Sequence, residues 1–179
     1  MKLSINLNKI ALLRNSRGSN NPDIAEYAIT ALEENILGLT VHPRPDNRHI
    51  TYDDLICIKN LTDEYNKEFN IEGNPLEAAS SNYKGFIPLI EEFKPTQATL
   101  VPDATNQLTS DHGWAIQDLN SANYIHNIKK NCTRCSVFIN AGTNLNDLTN
   151  EVIDSIEIYT GPFAAAVKQN NADLVDKEL

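Results

Sequence analysis

The chain has 179 residues, of which 41% are hydrophobic and 22% charged, so one substantial core in a single domain is expected. The formal net charge of -9 argues against a general nucleic-acid binder, although local arginines could still hold a small phosphate. No apolar run reaches the roughly 18 residues that a membrane span requires, so the sequence predicts no membrane partner.

Short apolar segments alternate with helical stretches, a pattern typical of βαβ units and a parallel sheet. The expected strands are Leu3–Leu7, Gly38–His42, Phe69–Glu72, Gln97–Val101, Ser136–Ile139 and Ser155–Tyr159. The expected helices are Asp23–Glu34, Tyr52–Asn60, Phe86–Phe93, Ala115–Lys130, Leu145–Asn150 and Phe163–Glu178. These make about six βα units, whereas a complete (β/α)8 barrel needs about 250 residues. The α/β pattern therefore allows an open doubly wound sheet, or a (β/α)8 TIM-barrel type with the last two units missing.

Polar residues that could perform chemistry follow the ends of these strands, where ligands bind in parallel α/β folds. After the first strand, Arg14 and Arg17 precede Gly18 in a segment that we interpret as a loop. Guanidinium groups match phosphate oxygens, and glycine permits close backbone approach, so this loop could bind an anion. A solvated basic loop is an equally good interpretation.

The most informative segment, Val41–Ile50, follows the second strand and contains two histidines, two arginines and an aspartate. Histidine exchanges protons near neutral pH, and arginines can hold a phosphorylated substrate beside it. A single histidine is more often structural than functional. Two histidines at a strand end, flanked by arginines, favour a functional site.

Two carboxylates also occupy positions that suggest chemistry. Glu72 ends the third strand, where partial desolvation would allow it to act as a general base, although a capping or salt-bridged acid is the alternative. Glu157 alternates with Ile156 and Ile158, so it is expected to face the barrel interior, where an unpaired acid is costly. Thr109 or Ser110, after the fourth strand, could donate a hydrogen bond to a phosphate or a hydroxyl.

The three cysteines are Cys57, Cys132 and Cys135, and the last two form a C-x-x-C pair. Such a pair could be a redox centre or half of a zinc site. Because no second pair accompanies it, two ordinary thiols are the better interpretation. Unpaired cysteine usage of this kind fits a reducing cytoplasm and predicts a cytoplasmic protein.

Together, these motifs resemble the pyridoxine 5'-phosphate synthase family. The segments that carry the resemblance occur in the family's order over nearly all of the chain; they are Leu13–Gly18, Val41–Ile50, Asn70–Glu72, Leu100–Pro102 with Thr109, and Ile156–Gly161. The resemblance implies an enzyme that condenses 1-deoxy-D-xylulose 5-phosphate with 3-amino-2-oxopropyl phosphate to give pyridoxine 5'-phosphate, phosphate and water. It implies no metal, no organic cofactor and a homo-oligomer.

The resemblance also implies roles in catalysis. His42 and Glu72 match proton-transfer residues of the family, and Glu157 matches a residue that stabilises the transition state. Asn8 and Lys9 stand where many family members have Asp-His, so the substrate contact made there is chemically changed.

The remaining matches concern substrate binding. Arg44, His49 and Thr109 match contacts to the deoxyxylulose phosphate. Asn6 and Arg17 match contacts to the amino-ketone phosphate. Both substrates are phosphorylated small molecules, which fits the cationic character of these strand ends.

The sequence has no counterpart of the family's Asn-Ala-Gly-His-Gly stretch after a seventh strand, or of its glycine-rich phosphate site after an eighth. The resemblance therefore predicts one incomplete TIM-barrel domain over 1–179, whose open edges favour association. Four hypotheses remain. They are an active synthase, a shortened inactive homologue, a phosphate-binding module that keeps Arg17, Arg44 and His49, and a metalloenzyme using the two histidines and two glutamates. The neighbouring arginines would repel a cation, which counts against the metalloenzyme.

Overall fold

A computed structural model describes residues 2–104 and 107–170. Within these residues the strands are β1 (Ser4–Asn6), β2 (Gly38–Val41), β3 (Glu68–Gly73), β4 (Gln97–Leu100), β5 (Arg134–Asn140) and β6 (Ser155–Tyr159). The α-helices are α1 (Asn8–Ser16), α2 (Ile24–Leu32), α3 (Tyr52–Glu64), α4 (Phe86–Phe93), α5 (Ile116–Ser121), α6 (Tyr124–Lys129) and α7 (Gly161–Lys168). None of the helices in these ranges is long and apolar enough to cross a membrane.

The strands form one parallel sheet in which they lie side by side in chain order, from β1 to β6. A doubly wound sheet reverses its strand order near the middle, whereas a barrel adds each new strand to the same edge. The barrel-type prediction is therefore confirmed, and the doubly wound alternative is wrong.

The two faces of the sheet differ in chemistry because side chains alternate along each strand. Outward residues such as Leu39, Ile71 and Val137 are fully buried against the helices. The apolar faces of the helices pack against these strand residues, with Leu55 of α3 and Ile90 of α4 among the contacts in the core. The hydrophobic core therefore lies between the sheet and the helices, outside the concave face.

The concave face is polar and is connected by hydrogen bonds between neighbouring strands. Ser4 Oγ and Thr40 Oγ1 lie 2.9 Å apart, and Asn70 Nδ2 donates to Thr40 Oγ1 at 3.3 Å. Thr99 Oγ1 in turn donates to Asn70 Oδ1 at 3.0 Å. Because these buried groups satisfy one another, the interior can stay polar without a large desolvation penalty.

Local capping fixes where the helix beside the predicted site begins. Thr51 Oγ1 accepts a hydrogen bond from the Asp54 amide, and Asp54 Oδ2 accepts one from the Thr51 amide at 2.8 Å. This reciprocal capping box starts α3 directly after the Val41–Ile50 segment. The predicted start of this helix, at Tyr52, is confirmed.

Two sequence predictions about helices are wrong. The segment 8–16 is helix α1 and not a loop; Ala11, Leu12 and Leu13 are strong helix formers whose signal the polar residues around them concealed. The single helix predicted over Ala115–Lys130 is two short helices, because Ala122 leaves the helical region with ψ of 85°.

Two shorter predictions also differ in their extent. The predicted helix Leu145–Asn150 is a 3-10 turn over Leu145–Asp147. The last predicted helix, Phe163–Glu178, corresponds to α7, which begins earlier, at Gly161, and ends at Lys168. The part of that prediction beyond residue 170 lies outside the described residues.

Candidate active site

Two adjoining cavities lie on the concave side of the sheet. We call the first, of about 340 Å³, the mouth cavity; the predicted residues that line it are Asn6, Asn8, Lys9, His42, Arg44, His49, Glu72 and Thr109. We call the second, of about 580 Å³, the interior cavity; inward side chains of all six strands line it, and Glu157 is among them. Asn6 and Glu72 border both cavities, which therefore adjoin each other. Arg17 lies outside both linings and is exposed at the C-terminal cap of α1.

His42 and Glu72 form the buried centre of the mouth cavity. His42 Nδ1 lies 3.8 Å from Glu72 Oε2, with side-chain exposures of 8% and 11%. The His42 amide donates to Asn8 Oδ1 at 2.8 Å, and the Asn8 amide donates to Asn6 Oδ1 at 2.9 Å. The end of β1 and the start of α1 therefore fix the position of His42, which follows β2.

Burial shifts the proton affinities of this pair in complementary directions. The pKa of His42 is lowered well below its ordinary value, first by desolvation and then by the positive charge of Arg44. The pKa of Glu72 is raised well above its ordinary value, first by desolvation and then by Glu157 and Asp103. His42 therefore stays a free base at neutral pH, and Glu72 holds a proton more readily than an ordinary carboxyl, so the pair is suited to accept and donate a proton.

Glu157 adds a second carboxyl to this centre from the opposite part of the sheet. It lies on β6 in register with Phe138 of β5, and its side chain opens into the interior cavity. Desolvation raises the pKa of Glu157, and its charge raises the pKa of Glu72. The two carboxyls therefore share an environment that disfavours simultaneous ionisation.

Arg44 makes an ion pair with Asp103, a residue that the sequence analysis did not single out. Both side chains are buried, and Ser110 Oγ donates to Asp103 Oδ2 at 2.7 Å. Arg44 Nη1 also donates to the Gln107 carbonyl at 3.3 Å. These contacts hold the segment after β4, which includes Thr109, against the mouth cavity. The only signal in the sequence was an acidic residue directly after the end of the fourth strand.

His49 lies beside His42, with ring centroids 6.0 Å apart in an edge-on arrangement. Its Nδ1 is buried and has no hydrogen-bond partner among the described residues. Desolvation, followed by the charges of Arg44 and Arg48, lowers the pKa of His49 to about 4. The charge of Lys9 contributes in the same direction. The mouth cavity is therefore cationic without a protonated histidine.

The lowered pKa of His49 predicts a loss of stability in acid. Because the unfolded imidazole has a pKa near 6.5 and the folded one near 4, protons bind preferentially to the unfolded chain as the pH falls through this window. Above 6.5 the contribution is fully present. Near pH 4, the wild type is expected to have lost up to about 3 kcal/mol more of its unfolding free energy than a His49→Gln variant.

Urea unfolding of both proteins at the two ends of this window measures the difference. His126→Gln, which changes an exposed histidine of α6, serves as the matched control and should follow the wild type. Equal losses for the wild type and His49→Gln would show that His49 titrates normally.

Two groups noted in the sequence take no part in the site. Arg14, interpreted above as a possible anion ligand, is buried and paired with Asp54 at 2.5 Å, so that interpretation is wrong. Burial raises the pKa of Cys132 and raises that of Cys135 to about 12, so both remain protonated thiols at neutral pH. Among residues 2–104 and 107–170, no group of three His, Cys, Asp or Glu side chains is arranged to hold a metal.

Comparison with known proteins places the chain in a family. The model of the family described as "Pyridoxal phosphate biosynthesis protein PdxJ" matches residues 3–178. The chain belongs to the PdxJ family. A pyridoxine 5'-phosphate synthase from Xanthomonas axonopodis pv. citri (strain 306) is 44% identical over 175 residues, which cover 96% of this chain and 69% of the relative. One from Xylella fastidiosa (strain M12) is 43% identical over 181 residues, covering 99% and 70%.

A solved structure from Burkholderia cenocepacia J2315, described as a phosphonomutase, aligns with a TM-score of 0.57. The alignment covers 99% of this chain and 69% of that one, at 13% sequence identity. At this identity the likeness concerns the fold alone, and it agrees with the barrel-type order of the strands.

Proposed function

We propose that this PdxJ-family chain is a pyridoxine 5'-phosphate synthase, which condenses 1-deoxy-D-xylulose 5-phosphate with 3-amino-2-oxopropyl phosphate. The relatives that share 43–44% of its sequence carry that name. The observation that supports the proposal most is the buried His42–Glu72 pair beside a cationic cavity. A free base beside a carboxyl whose pKa is raised matches a reaction that builds a ring through repeated proton transfers.

In this proposal the two buried groups divide the proton transfers. Joining an amine to a ketone expels water, and closing an aromatic ring requires removal of protons from carbon together with loss of hydroxyl and phosphate groups. Glu72 donates its proton to a departing hydroxyl, and His42 accepts protons from carbon or nitrogen. Glu157, across the interior cavity, stabilises positive charge that develops on the condensing amine.

Substrate binding is assigned to the rim of the mouth cavity. Arg44, His49 and Thr109 hold the ketose phosphate, because the arginine and the hydroxyl supply donors that match phosphate oxygens. Asn6 and Arg17 hold the amino-ketone phosphate, which requires Arg17 to turn inward from its exposed position. Asn8 and Lys9 complete the binding surface. Lys9 adds a positive charge close to His49.

The desolvated acid–base pair also weighs against a module that only binds phosphate. Such a module needs cationic donors but has no use for Glu72, whose burial next to Glu157 is costly.

We also propose that residues 1–179 form one barrel-type domain acting in the cytoplasm as a homo-oligomer. Exposed apolar side chains on the two edge strands or beside them, Leu3 at 50% and Ile158 at 51%, support association.

Direct assay of product formation tests the proposed function. Purified protein incubated with both phosphorylated substrates is expected to form pyridoxine 5'-phosphate, and His42→Ala is expected to lower this rate by about 10²-fold or more. His126→Ala, an exposed histidine of α6, is the matched control and should retain full activity. Folded wild-type protein that forms no product would contradict the proposal.

A further inference from the structure

Helix α1 makes contacts to the segment after β2 that the proposed reaction does not itself use. Arg14 Nη1 and Nη2 donate to the two carboxylate oxygens of Asp54 at 2.5 and 2.7 Å. Arg14 Nη2 also reaches the His49 carbonyl at 3.4 Å, and Arg14 Nε donates to Asn15 Oδ1 at 3.0 Å. We call Arg14, Asn15 and Asp54 the α1 clamp. Its charged pair is forked and buried, which gives it a defined geometry.

The amide of Asn15 is the part of the clamp that contacts the site-forming segment most closely. Its Nδ2 lies 2.7 Å from the His49 carbonyl, 3.1 Å from that of Arg48 and 3.3 Å from that of Asn47. Asn47 has a positive φ of 50°, so the chain turns sharply here and presents consecutive carbonyls to one donor. Because Arg14 Nε holds Oδ1, the side-chain amide is oriented with its NH₂ group toward this turn.

These contacts matter for His49 because they hold the backbone that carries its ring. The buried Nδ1 of His49 lacks a hydrogen-bond partner among the described residues, so the orientation of the imidazole depends on its backbone and on packing against His42. The same backbone carries Arg48, whose Nη1 donates to the Leu108 carbonyl at 3.0 Å. Displacing the turn would therefore move two groups that border the mouth cavity.

We propose that Asn15, oriented by the Arg14–Asp54 pair, is a positioning residue that sets the location of His49 for binding of the ketose phosphate. This inference rests on the proposed function for the identity of the ligand. The contacts of Asn15 with the turn are independent of that function. Arg14, Asn15 and Asp54 do not line the mouth cavity, so their effect reaches the ligand through the turn at 47–49.

Kinetics of Asn15→Asp provide the test, because a carboxylate keeps the bond from Arg14 Nε but cannot donate to three carbonyls. The KM for 1-deoxy-D-xylulose 5-phosphate is expected to rise about 10-fold or more, with a much smaller change in kcat. Asn15→Ala, which removes the donor without adding charge, should change KM in the same direction. Asn131→Asp is the matched control, since Asn131 Nδ2 donates to one backbone carbonyl on the distant helix α6.

A double-mutant cycle separates positioning from general loss of structure. In a His49→Ala background, Asn15→Asp is expected to cause a much smaller rise in KM, because the main residue through which it acts is already gone. A further rise equal to that in the wild-type background would overturn the proposal. So would an unchanged KM in both single variants at Asn15.

Hydrogen exchange distinguishes failure of the clamp from failure of the proposed function. Amides of residues 47–50 should exchange faster in Asn15→Asp than in the wild type or Asn131→Asp, whether or not any substrate binds. If the wild type neither binds nor turns over the ketose phosphate, the proposed function fails and this exchange measurement alone decides the clamp. Unchanged exchange at 47–50 would then refute the clamp.

Discussion

A Glu72→Gln variant is expected to lower the kcat of pyridoxine 5'-phosphate formation by about 10²- to 10⁴-fold. Glutamine matches glutamate in shape and keeps a hydrogen-bond donor, but it cannot release a proton. The side chain is buried beside His42 and Glu157, so no solvent group replaces it easily. Activity measured with both substrates at saturation gives kcat directly.

The pH profile offers a second readout of the same variant. Because the pKa of Glu72 is raised and the acid must be protonated to act, wild-type kcat should fall on the alkaline side, and Glu72→Gln should lose that dependence. Glu91→Gln, an exposed glutamate of α4, is the matched control. Retention of more than a tenth of wild-type kcat by Glu72→Gln would remove Glu72 from the proton-transfer steps.

Replacing Arg14 by alanine is expected to lower the free energy of unfolding by about 3–5 kcal/mol. The substitution leaves the Asp54 carboxylate buried without its cation, although the Thr51 amide still donates to it. Hydrogen bonding to Arg14 contributes to the lowered pKa of Asp54, so the carboxylate loses this stabilisation as well. Urea unfolding monitored by circular dichroism measures the change.

An exposed ion pair on α3 supplies the comparison for this experiment. Lys59 and Asp63 lie one helical turn apart at the surface, so Asp63→Ala should cost only about 0.3–0.5 kcal/mol. If Arg14→Ala costs no more than Asp63→Ala, the Arg14–Asp54 pair does not hold α1 against α3.

The strands of this fold were predictable because each is a short apolar segment separated from the next by a helical pattern. Ser155–Tyr159 agrees with the prediction at both ends, and Gln97–Leu100 differs by one residue. Their spatial order was not predictable from periodicity, which is the same for a barrel and a doubly wound sheet. The resemblance of the motifs chose between the two, and the pairing of β1 through β6 agrees with it.

His42 and Glu72 could be singled out because parallel strands deliver their carboxyl ends to one edge, whatever the details of packing. The residues that contact these arginine and site side chains could not be predicted from the sequence. Asp103 contacts Arg44 across 59 positions of sequence, and Arg14 contacts Asp54 across 40. Two arginines shortly before a glycine suggest an anion site in the sequence, yet helix α1 turns Arg14 inward to a carboxylate. The individual roles assigned to the site residues stay predictions until the variants are measured.

The mouth cavity is lined by cationic side chains, although the chain as a whole has a formal net charge of -9. A doubly charged phosphate ester approaching from far away therefore meets an overall repulsive field, and it senses cations at the rim, such as the exposed Lys9, only at short range. At physiological ionic strength the Debye length is about 8 Å, which screens the distant acids far more than the neighbouring cations. Added salt should thus hold or increase the rate of substrate capture, opposite to proteins whose total charge draws the ligand in.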